Sequence, residues 1–252
     1  MPEGFINKYK GWVVAQGYSQ IQGIHYNKVF ASTARMAAMH MVMAIAARED
    51  LELELVDIST AFLNGEIDVE IYMKIPEGLK VDGDPQPRED LKCWVVHLLK
   101  GLYGIKQGPH IWALKLHSVL LTIGFEWIDC DHLVYVYQHG DVQIMVPIHV
   151  DDLLLALNLK AAIQKVKAEL ALHFKIHDQG PTMSILGIKV ECDQAAHSIS
   201  LSQPGYIQLI LKQFGMSDCN PAQMPMDENQ KLSTQMLPDA PEGWAEMKAY
   251  PY

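Results

Sequence analysis

The sequence lacks the features of a membrane-spanning, secreted or disulfide-stabilised protein. It contains no run of about 18 uncharged apolar residues, which is what a membrane-spanning helix needs. Residues 1–4 (MPEG) do not begin a basic segment followed by an apolar one, so we expect no secretory signal. The 4 cysteines, at positions 93, 130, 192 and 219, form no C-x-x-C pair, which argues against a zinc knuckle and a redox dithiol. We therefore expect an intracellular protein with reduced thiols and no membrane partner.

Positive charge is also scarce. The chain has 20 Lys and Arg against 30 Asp and Glu, which gives a net charge of -10. Such a balance counts against nucleic-acid binding, because Lys and Arg contacts with phosphates supply most of that affinity. Lys92, Lys100, Lys106 and Lys115 are grouped near the middle of the chain. They can form a locally basic cleft or an ordinary solvated surface, and the sequence leaves both interpretations open.

A hydrophobic content of 49% over 252 residues is enough for one large domain or two small ones. Residues 36–46 carry apolar side chains at helical spacing, which predicts a helix with Ser32 or Thr33 as its N-cap. Residues 52–59 predict a strand whose second half is apolar on both faces and contains Asp57. We therefore expect Asp57 to lie in a doubly buried strand.

The rest of the chain alternates between helical and strand patterns. Pro109 is expected in the first turn of a helix that continues to Leu120 and ends at Gly124. We also predict strands at 134–137 and 144–156, helices at 160–174 and 206–214, a hairpin of 184–192 with 197–202, a loop at 81–90 and a poorly ordered tail from residue 220. This order predicts an α+β domain in which helices pack on an antiparallel sheet.

Two adjacent carboxylates, Asp151 and Asp152, interrupt the apolar stretch 144–156. Burying unpaired charge costs several kcal/mol, so the pair requires an explanation. One explanation is a hairpin turn between Val150 and Leu153, because Asp tolerates left-handed backbone angles. The other is a divalent-cation site, and the two are compatible.

Asp57 favours the metal site, because it ends a second buried strand. If the two strands are neighbours, three carboxylates converge on one point. Such a cluster is a suitable set of ligands for a hard divalent cation. Two magnesium ions about 4 Å apart promote in-line phosphoryl transfer. A phosphatase similar to the haloacid dehalogenases, with Asp57 as its nucleophile, is an alternative, although Ser59 stands where that family has a second aspartate.

Five segments in order resemble motifs of copia-type LTR-retrotransposon reverse transcriptases, over about residues 8–231. They are 14–20 (VAQGYSQ), 56–65 (VDISTAFLNG), 102–109 (LYGIKQGP), 150–155 (VDDLLL) and 201–207 (LSQPGYI). The resemblance implies a right-hand polymerase with an antiparallel palm sheet backed by helices. It implies partial fingers at 1–50, a palm at 51–202 with a fingers insertion at about 74–110, and the start of a thumb or connection with a disordered tail at 203–252.

The resemblance also implies roles for individual residues. Asp57, Asp151 and Asp152, with the backbone carbonyl of Ile58, would bind catalytic Mg²⁺, or Mn²⁺ in its place. Ile58 would also belong to the nucleotide site, together with Phe62, Lys106, Gln107 and Gly108. In that site Phe62 would screen the sugar 2′ position, Lys106 would contact phosphate and Gln107 would line the pocket. A core phenylalanine, a solvated lysine and a plain turn remain alternatives for these positions.

The implied partners are an RNA or DNA template with its primer and deoxynucleoside triphosphates. The integrase and ribonuclease H parts of such a polyprotein are expected but absent from this sequence, and a cytoplasmic virus-like particle or the nucleus is the expected location. One departure is Trp12, which replaces an arginine expected to reach the triphosphate and cannot make that charge-assisted contact. A remnant without catalytic activity that at most binds nucleic acid is therefore the alternative to an active polymerase.

Overall fold

A computed structural model describes residues 11–31, 33–76, 95–221, 233 and 243–244. The predicted loop at 81–90 and almost all of the predicted tail lie outside the described residues. The helices are α1 (Met36–Arg48), α2 (Gly108–Ile123), α3 (Lys160–His173) and α4 (Pro204–Gln213). The strands are β1 (Glu52–Ile58), β2 (Tyr72–Lys74), β3 (Val95–His97), β4 (Glu126–Ile128), β5 (Asp131–His139), β6 (Val142–His149), β7 (Asp152–Leu157), β8 (Ile176–Pro181), β9 (Ser184–Ile185), β10 (Ile188–Asp193) and β11 (Ser198–Ser202).

The start of α1 differs from the prediction. Arg35 is the N-cap, and no side chain makes a capping hydrogen bond there, so Thr33 is not the cap. Ser32 lies outside the described residues. The backbone N–H of Arg35 instead donates to Asp131 Oδ2 at 2.9 Å. A carboxylate 96 residues later in the chain therefore holds the start of this helix.

Helices α2 and α3 follow the sequence pattern closely. Pro109 lies in the first turn of α2, where its missing N–H is not needed. Gly124 ends the helix in the left-handed conformation, with φ of 102°, and its N–H donates to the carbonyls of Leu120 and Leu121. Ile163, Val166 and Leu170 form the buried face of α3. Both predicted helices are confirmed.

The main sheet has six strands in the order β4-β5-β6-β7-β1-β8, and neighbouring strands are antiparallel. Side chains of α2 and α3 pack with side chains of the sheet in one hydrophobic core. Val56, Leu153 and Leu170 are completely buried in it. The expected α+β architecture with helices on an antiparallel sheet is confirmed.

The turn between β6 and β7 is displaced by one residue from the predicted position. His149 pairs with Asp152, so the two turn residues are Val150 and Asp151 rather than Asp151 and Asp152. Val150 adopts a φ of 60°, a conformation that is rare for a β-branched residue. Asp152 is consequently the first residue of a strand, where its position is fixed by sheet pairing.

The second half of the chain contributes a smaller sheet. It has three strands in the order β11-β10-β9, so the predicted hairpin strand at 184–192 is split into two strands.

Two compact units are distinguished, Met1–Thr182 with Cys192–Ile199 and Met183–Glu191 with Ser200–Tyr252. The domain boundaries expected from the sequence stay a prediction. Within the described residues, no helix has the length and apolar character needed to span a bilayer.

Candidate functional site

Acidic residues from two distant parts of the sequence lie at the same end of the main sheet. Asp57 in β1 lies directly opposite Asp152 in β7. The backbone N–H of Ile58 donates to the carbonyl oxygen of Asp151 at 2.9 Å, so the turn residue lies beside the end of β1. Sheet pairing therefore places the backbones of Asp57, Asp151 and Asp152 next to one another, which is the adjacency that the expected metal site requires, and their role as metal ligands stays a prediction.

The acidic corner, defined as Asp57, Asp151 and Asp152, is half-buried. Asp57 was predicted to be fully buried, and it is not. Burial raises the pKa of Asp152 above its ordinary value, and the negative charges of Asp151 and Asp57 raise it further. Within the described part of the chain, no three His, Cys, Asp or Glu side chains are gathered in an arrangement that could hold a metal ion. The backbones are therefore adjacent, while the carboxylates are not oriented as a ready set of ligands.

Trp112 of α2 supports the strained turn beside these carboxylates. Its indole Nε1–H donates to the carbonyl oxygen of Val150 at 2.8 Å. Trp112 is 2% exposed and packs edge-on against Phe174, with ring centroids 5.2 Å apart. A backbone conformation of the kind seen at Val150 costs on the order of 1–3 kcal/mol and persists only where the surroundings enforce it. The buried indole supplies one such constraint.

Tyr103 is a site residue that the sequence analysis did not single out. Burial raises the pKa of its phenol, and the charges of Asp151 and Asp57 add to the effect, so the hydroxyl lies within their electrostatic influence. Its ring tilts against Phe62, with centroids 4.7 Å apart, and contacts Trp12 edge-on at 5.0 Å. The only signal in the sequence was its place within the motif at 102–109.

Phe62 follows β1 in a short 3-10 helix, Ala61–Asn64, which begins after Thr60 in a left-handed conformation. Its side chain is half-buried and packs at the margin of the core. It also lines a mainly apolar cavity of about 250 Å³ together with Val150, Trp112 and Tyr135. Phe62 is therefore not a fully enclosed core residue, and it lies beside the turn that carries the acidic residues.

Gln107 is 2% exposed. Its Nε2–H donates to the carbonyl of His25 at 2.9 Å, and its Oε1 accepts from Gln20 Nε2 at 3.0 Å. The backbone N–H of Lys106 donates to Gln20 Oε1 at 2.7 Å. The side-chain ammonium of Lys106 lies 5.0 Å from the ring centre of Tyr26. In this structure these two predicted nucleotide contacts tie residues 20–26 to the start of α2.

Two glycines, Gly17 and Gly104, allow the backbones of residues 15–17 and 103–104 to lie very close together. A Cβ added at Gly17 would lie 1.9 Å from the carbonyl oxygen of Gly104, and one at Gly104 would lie 2.1 Å from that of Ala15. Gly104 also has a φ of 92°. The Ala15 N–H donates to Tyr103 O at 2.8 Å within this contact. Gly108, the remaining predicted nucleotide contact, is buried in the first turn of α2.

The acidic residues of the chain are unevenly distributed. Residues 4–48 and 91–125 contain no Asp or Glu, although the chain has 30 of them. These two stretches contact each other at several points, including the Ala15 and Gln107 hydrogen bonds. Their basic residues are Lys8, Lys10, Lys28, Arg35, Arg48, Lys92, Lys100, Lys106 and Lys115. The net charge of -10 therefore does not describe this part of the molecule.

Lys167 of α3 is a buried charge that the sequence analysis missed. It is 5% exposed, and its ammonium donates to Glu54 of β1 and, at 2.5 Å, to Asp178 of β8. Burial disfavours the charged form, but the hydrogen bonds that Lys167 donates to Asp178 and Glu54 outweigh it and raise the pKa of Lys167. Its position between Ile163 and Leu170 on the apolar face of the helix was the available signal.

Comparison with known proteins assigns the family. A family model described as reverse transcriptase (RNA-dependent DNA polymerase) matches residues 4–228. The chain therefore belongs to the reverse transcriptase family. No solved structure matches it.

Several relatives among curated proteins are retrotransposon proteins. The chain is 34% identical over 246 residues to a retrovirus-related Pol polyprotein from transposon TNT 1-94 of Nicotiana tabacum, covering 97% of this chain and 18% of that protein. It is 31% identical over 231 residues to the Pol polyprotein from transposon RE1 of Arabidopsis thaliana, covering 92% of this chain and 15% of that one. A putative transposon Ty5-1 protein of Saccharomyces cerevisiae is 30% identical over 176 residues, which cover 70% of this chain and 54% of that protein. The resemblance to copia-type elements is confirmed.

Proposed function

We propose that the chain carries out templated DNA synthesis at the acidic corner, as the polymerase part of a retrotransposon Pol polyprotein. In this proposal residues 51–202 are the palm, residues 1–50 and about 74–110 belong to the fingers, and the thumb starts at 203. The observation that carries the proposal is the direct pairing of Asp57 with Asp152 beside Asp151 in a member of the reverse transcriptase family.

Asp57, Asp151, Asp152 and the carbonyl of Ile58 are the groups that would hold Mg²⁺ or Mn²⁺. Their chemistry fits, because hard divalent cations take carboxylate and carbonyl oxygens, and a bound cation would offset both the burial and the mutual repulsion that raise the pKa of Asp152. When bound, such ions activate the attacking hydroxyl and stabilise the leaving phosphate oxygens.

The chain's own residues would position the nucleotide. Phe62, at the margin of the apolar cavity, would contact the sugar and disfavour a 2′-hydroxyl. The two stretches without Asp or Glu, residues 4–48 and 91–125, would contact phosphates of the template and primer. Lys28, Lys100 and Lys115 are exposed within them. Lys106 and Gln107 would reach the nucleotide only after leaving their partners in residues 20–26.

A second candidate is a nucleic-acid-binding chain without catalysis. Trp12 favours it, because a neutral indole replaces the arginine expected at the triphosphate. The engaged amide of Gln107 favours it as well. The phosphatase alternative gains no support, because the family match is to the reverse transcriptases.

The proposed partners are an RNA or DNA template with its primer, deoxynucleoside triphosphates, and the integrase and ribonuclease H parts of the polyprotein. The chain spans 18% of the tobacco relative and 15% of one Arabidopsis relative, so these partners and an intracellular location are inferred for the longer protein.

Primer extension on an RNA and on a DNA template, with Mg²⁺ or Mn²⁺, tests the activity. We expect incorporation by the wild type and its loss in Asp151→Asn. Asp141→Asn is the matched control, because Asp141 is exposed at the turn between β5 and β6, away from the β6–β7 turn. Incorporation that persists in Asp151→Asn, or that is absent from both proteins, would refute polymerase activity at this site.

A further inference from the structure

The side chain of Trp12 is exposed and contacts Tyr103, a residue of the candidate site. Trp12 is 59% exposed and contacts Tyr103 edge-on, with ring centroids 5.0 Å apart at an interplanar angle of 72°. The hydrogen bond from Ala15 N to Tyr103 O and the close approach of Gly17 to Gly104 hold this segment in one register. A large aromatic ring that is mostly exposed has a face free for a ligand.

Three aromatic rings lead from this position to the acidic corner. Trp12 contacts Tyr103, and Tyr103 contacts Phe62 at a centroid distance of 4.7 Å. Phe62 in turn lines a cavity together with Val150, the residue that precedes Asp151 in the turn between β6 and β7. A group bound against Trp12 would therefore lie near the carboxylates at which synthesis is proposed.

The two sequence segments that meet at Trp12 differ in charge from the rest of the chain. Trp12 lies within residues 4–48, which contain no Asp or Glu, and it contacts residues 91–125, which contain none either. Each base in a single strand carries a π-face, and exposed aromatic rings bind such strands by stacking while basic side chains contact the anionic backbone. An indole cannot replace a guanidinium toward phosphate, but it is a better stacking surface.

We propose that Trp12 stacks against a nucleobase and so replaces a charged phosphate contact with a base contact. This inference rests on the proposed function, since it places the base beside the polymerase site. The base belongs either to the incoming nucleotide or to the unpaired template strand ahead of the primer end.

Equilibrium binding tests the stacking without requiring catalysis. The probes are a labelled primer–template with a single-stranded overhang and a series of otherwise identical duplexes with one abasic position in the overhang. The proteins are the wild type, Trp12→Leu and Trp12→Phe, with Trp127→Leu as the matched control because Trp127 is an exposed tryptophan on the edge strand β4. A second arm compares displacement by a deoxynucleoside triphosphate with displacement by inorganic tripolyphosphate, which has no base.

We expect Trp12→Leu to weaken binding of the intact overhang by about 5- to 150-fold, the range for one base–aromatic stack. Trp12→Phe should retain most of the affinity, and Trp127→Leu should bind like the wild type. The wild type should bind one of the abasic duplexes more weakly than the intact duplex, whereas Trp12→Leu should bind the two equally. This result would show that the stacked base belongs to the template strand. If the base of the incoming nucleotide is the ligand, the same loss appears instead in the triphosphate arm.

Two comparisons decide the proposal: the intact against the abasic overhang, and the deoxynucleoside triphosphate against tripolyphosphate. The proposal is overturned if Trp12→Leu shows the same difference as the wild type in both comparisons, or if the wild type shows no difference in either. Circular dichroism and thermal unfolding of Trp12→Leu identify a variant that has lost its fold, and Trp12→Phe then supplies the comparison. Primer extension is scored separately. Stacking without incorporation rejects only the polymerase proposal, and incorporation without a Trp12 effect rejects only the stacking proposal.

Discussion

Replacing Asp152 with asparagine should stabilise the protein at neutral pH while it removes activity. Asp152 lies opposite Asp57, and side chains directly opposite in an antiparallel pair are about 5 Å apart at Cβ. Two charges at about that distance repel by about 1 kcal/mol in water and about 3 kcal/mol at an effective dielectric constant of about 20. Because Asp152 is half-exposed, we expect a gain near the lower value, about 1 kcal/mol, in the free energy of unfolding.

The pH dependence gives this prediction its sign. The folded-state pKa of Asp152 is raised above 3.8 by burial and by the charges of Asp151 and Asp57. Its favourable contribution is complete below the unfolded pKa and is lost as the pH rises through the folded pKa. Wild type and Asp152→Asn should therefore have similar stabilities at low pH, and the variant should become the more stable as the pH increases.

Thermal and urea unfolding between acidic and neutral pH measure the difference. A gain of about 1 kcal/mol corresponds to a rise of about 2–4 °C in Tm for a chain of this size. Asp141→Asn is the control for the change in net charge. Added Mg²⁺ should raise the Tm of the wild type more than that of Asp152→Asn. A variant that is equally or less stable than the wild type at neutral pH would show that the carboxylates do not repel each other as described.

Three further substitutions address the supports of the site. Trp112→Phe removes the hydrogen bond to Val150, so we expect a loss of about 1 kcal/mol in unfolding free energy and a larger proportional loss of primer extension. Lys167→Met should cost about 1–3 kcal/mol in chemical denaturation. Gly104→Ala places a methyl group 2.1 Å from the Ala15 carbonyl, and the positive φ alone costs roughly 1–2 kcal/mol, so residues 11–20 should become sensitive to limited proteolysis.

The pH range of the Lys167 effect follows from its partners. The pKa of Lys167 is raised, so its contribution is complete below 10.5 and is lost as the pH rises through the folded value. The hydrogen bond from Lys167 lowers the pKa of Asp178, so that contribution is present above 3.8 and is lost as the pH falls through the folded value. The cost of Lys167→Met should consequently be constant near neutral pH and shrink at both extremes.

Each of these substitutions has a matched control in the same chain. Trp127→Phe changes an exposed indole, and Lys165→Met changes an exposed lysine on the same helix as Lys167. Gly140→Ala introduces a methyl group at a φ of 58° with no atom within 4 Å, so it isolates the backbone cost from the clash. Controls that destabilise as much as the test substitutions would contradict the assigned contacts.

Patterns of spacing predicted the regular elements well. Strand β1, helix α2 with its Gly124 cap, and helix α3 were expected from periodicity and from local backbone preferences, which depend on neighbouring residues. The antiparallel architecture followed from the order of these elements. The adjacency of Asp57 and Asp152 was expected only through the family resemblance, because strand order depends on contacts between residues far apart in the chain.

Long-range contacts account for the features that were wrong or missed. Local propensity favours Asp over Val in a left-handed turn, yet Val150 adopts that conformation, and the hydrogen bond from the distant Trp112 helps to hold it there. The N-cap of α1 could not be assigned to Arg35, because the carboxylate that binds its N–H is that of Asp131. The burial of Gln107 likewise depends on residues 20–26, more than eighty positions earlier.

The strand order also has a consequence for biosynthesis. Strands β4 to β7 follow one another in both sequence and space, whereas β1 lies between β7 and β8, which are made much later. During translation, about a hundred residues are therefore synthesised after β1 before its partner strands β7 and β8 are available. Pairing between strands so far apart in sequence is slow. We expect the amides of β1 to gain protection last in pulsed hydrogen exchange, so that the three carboxylates come together only at the end of folding.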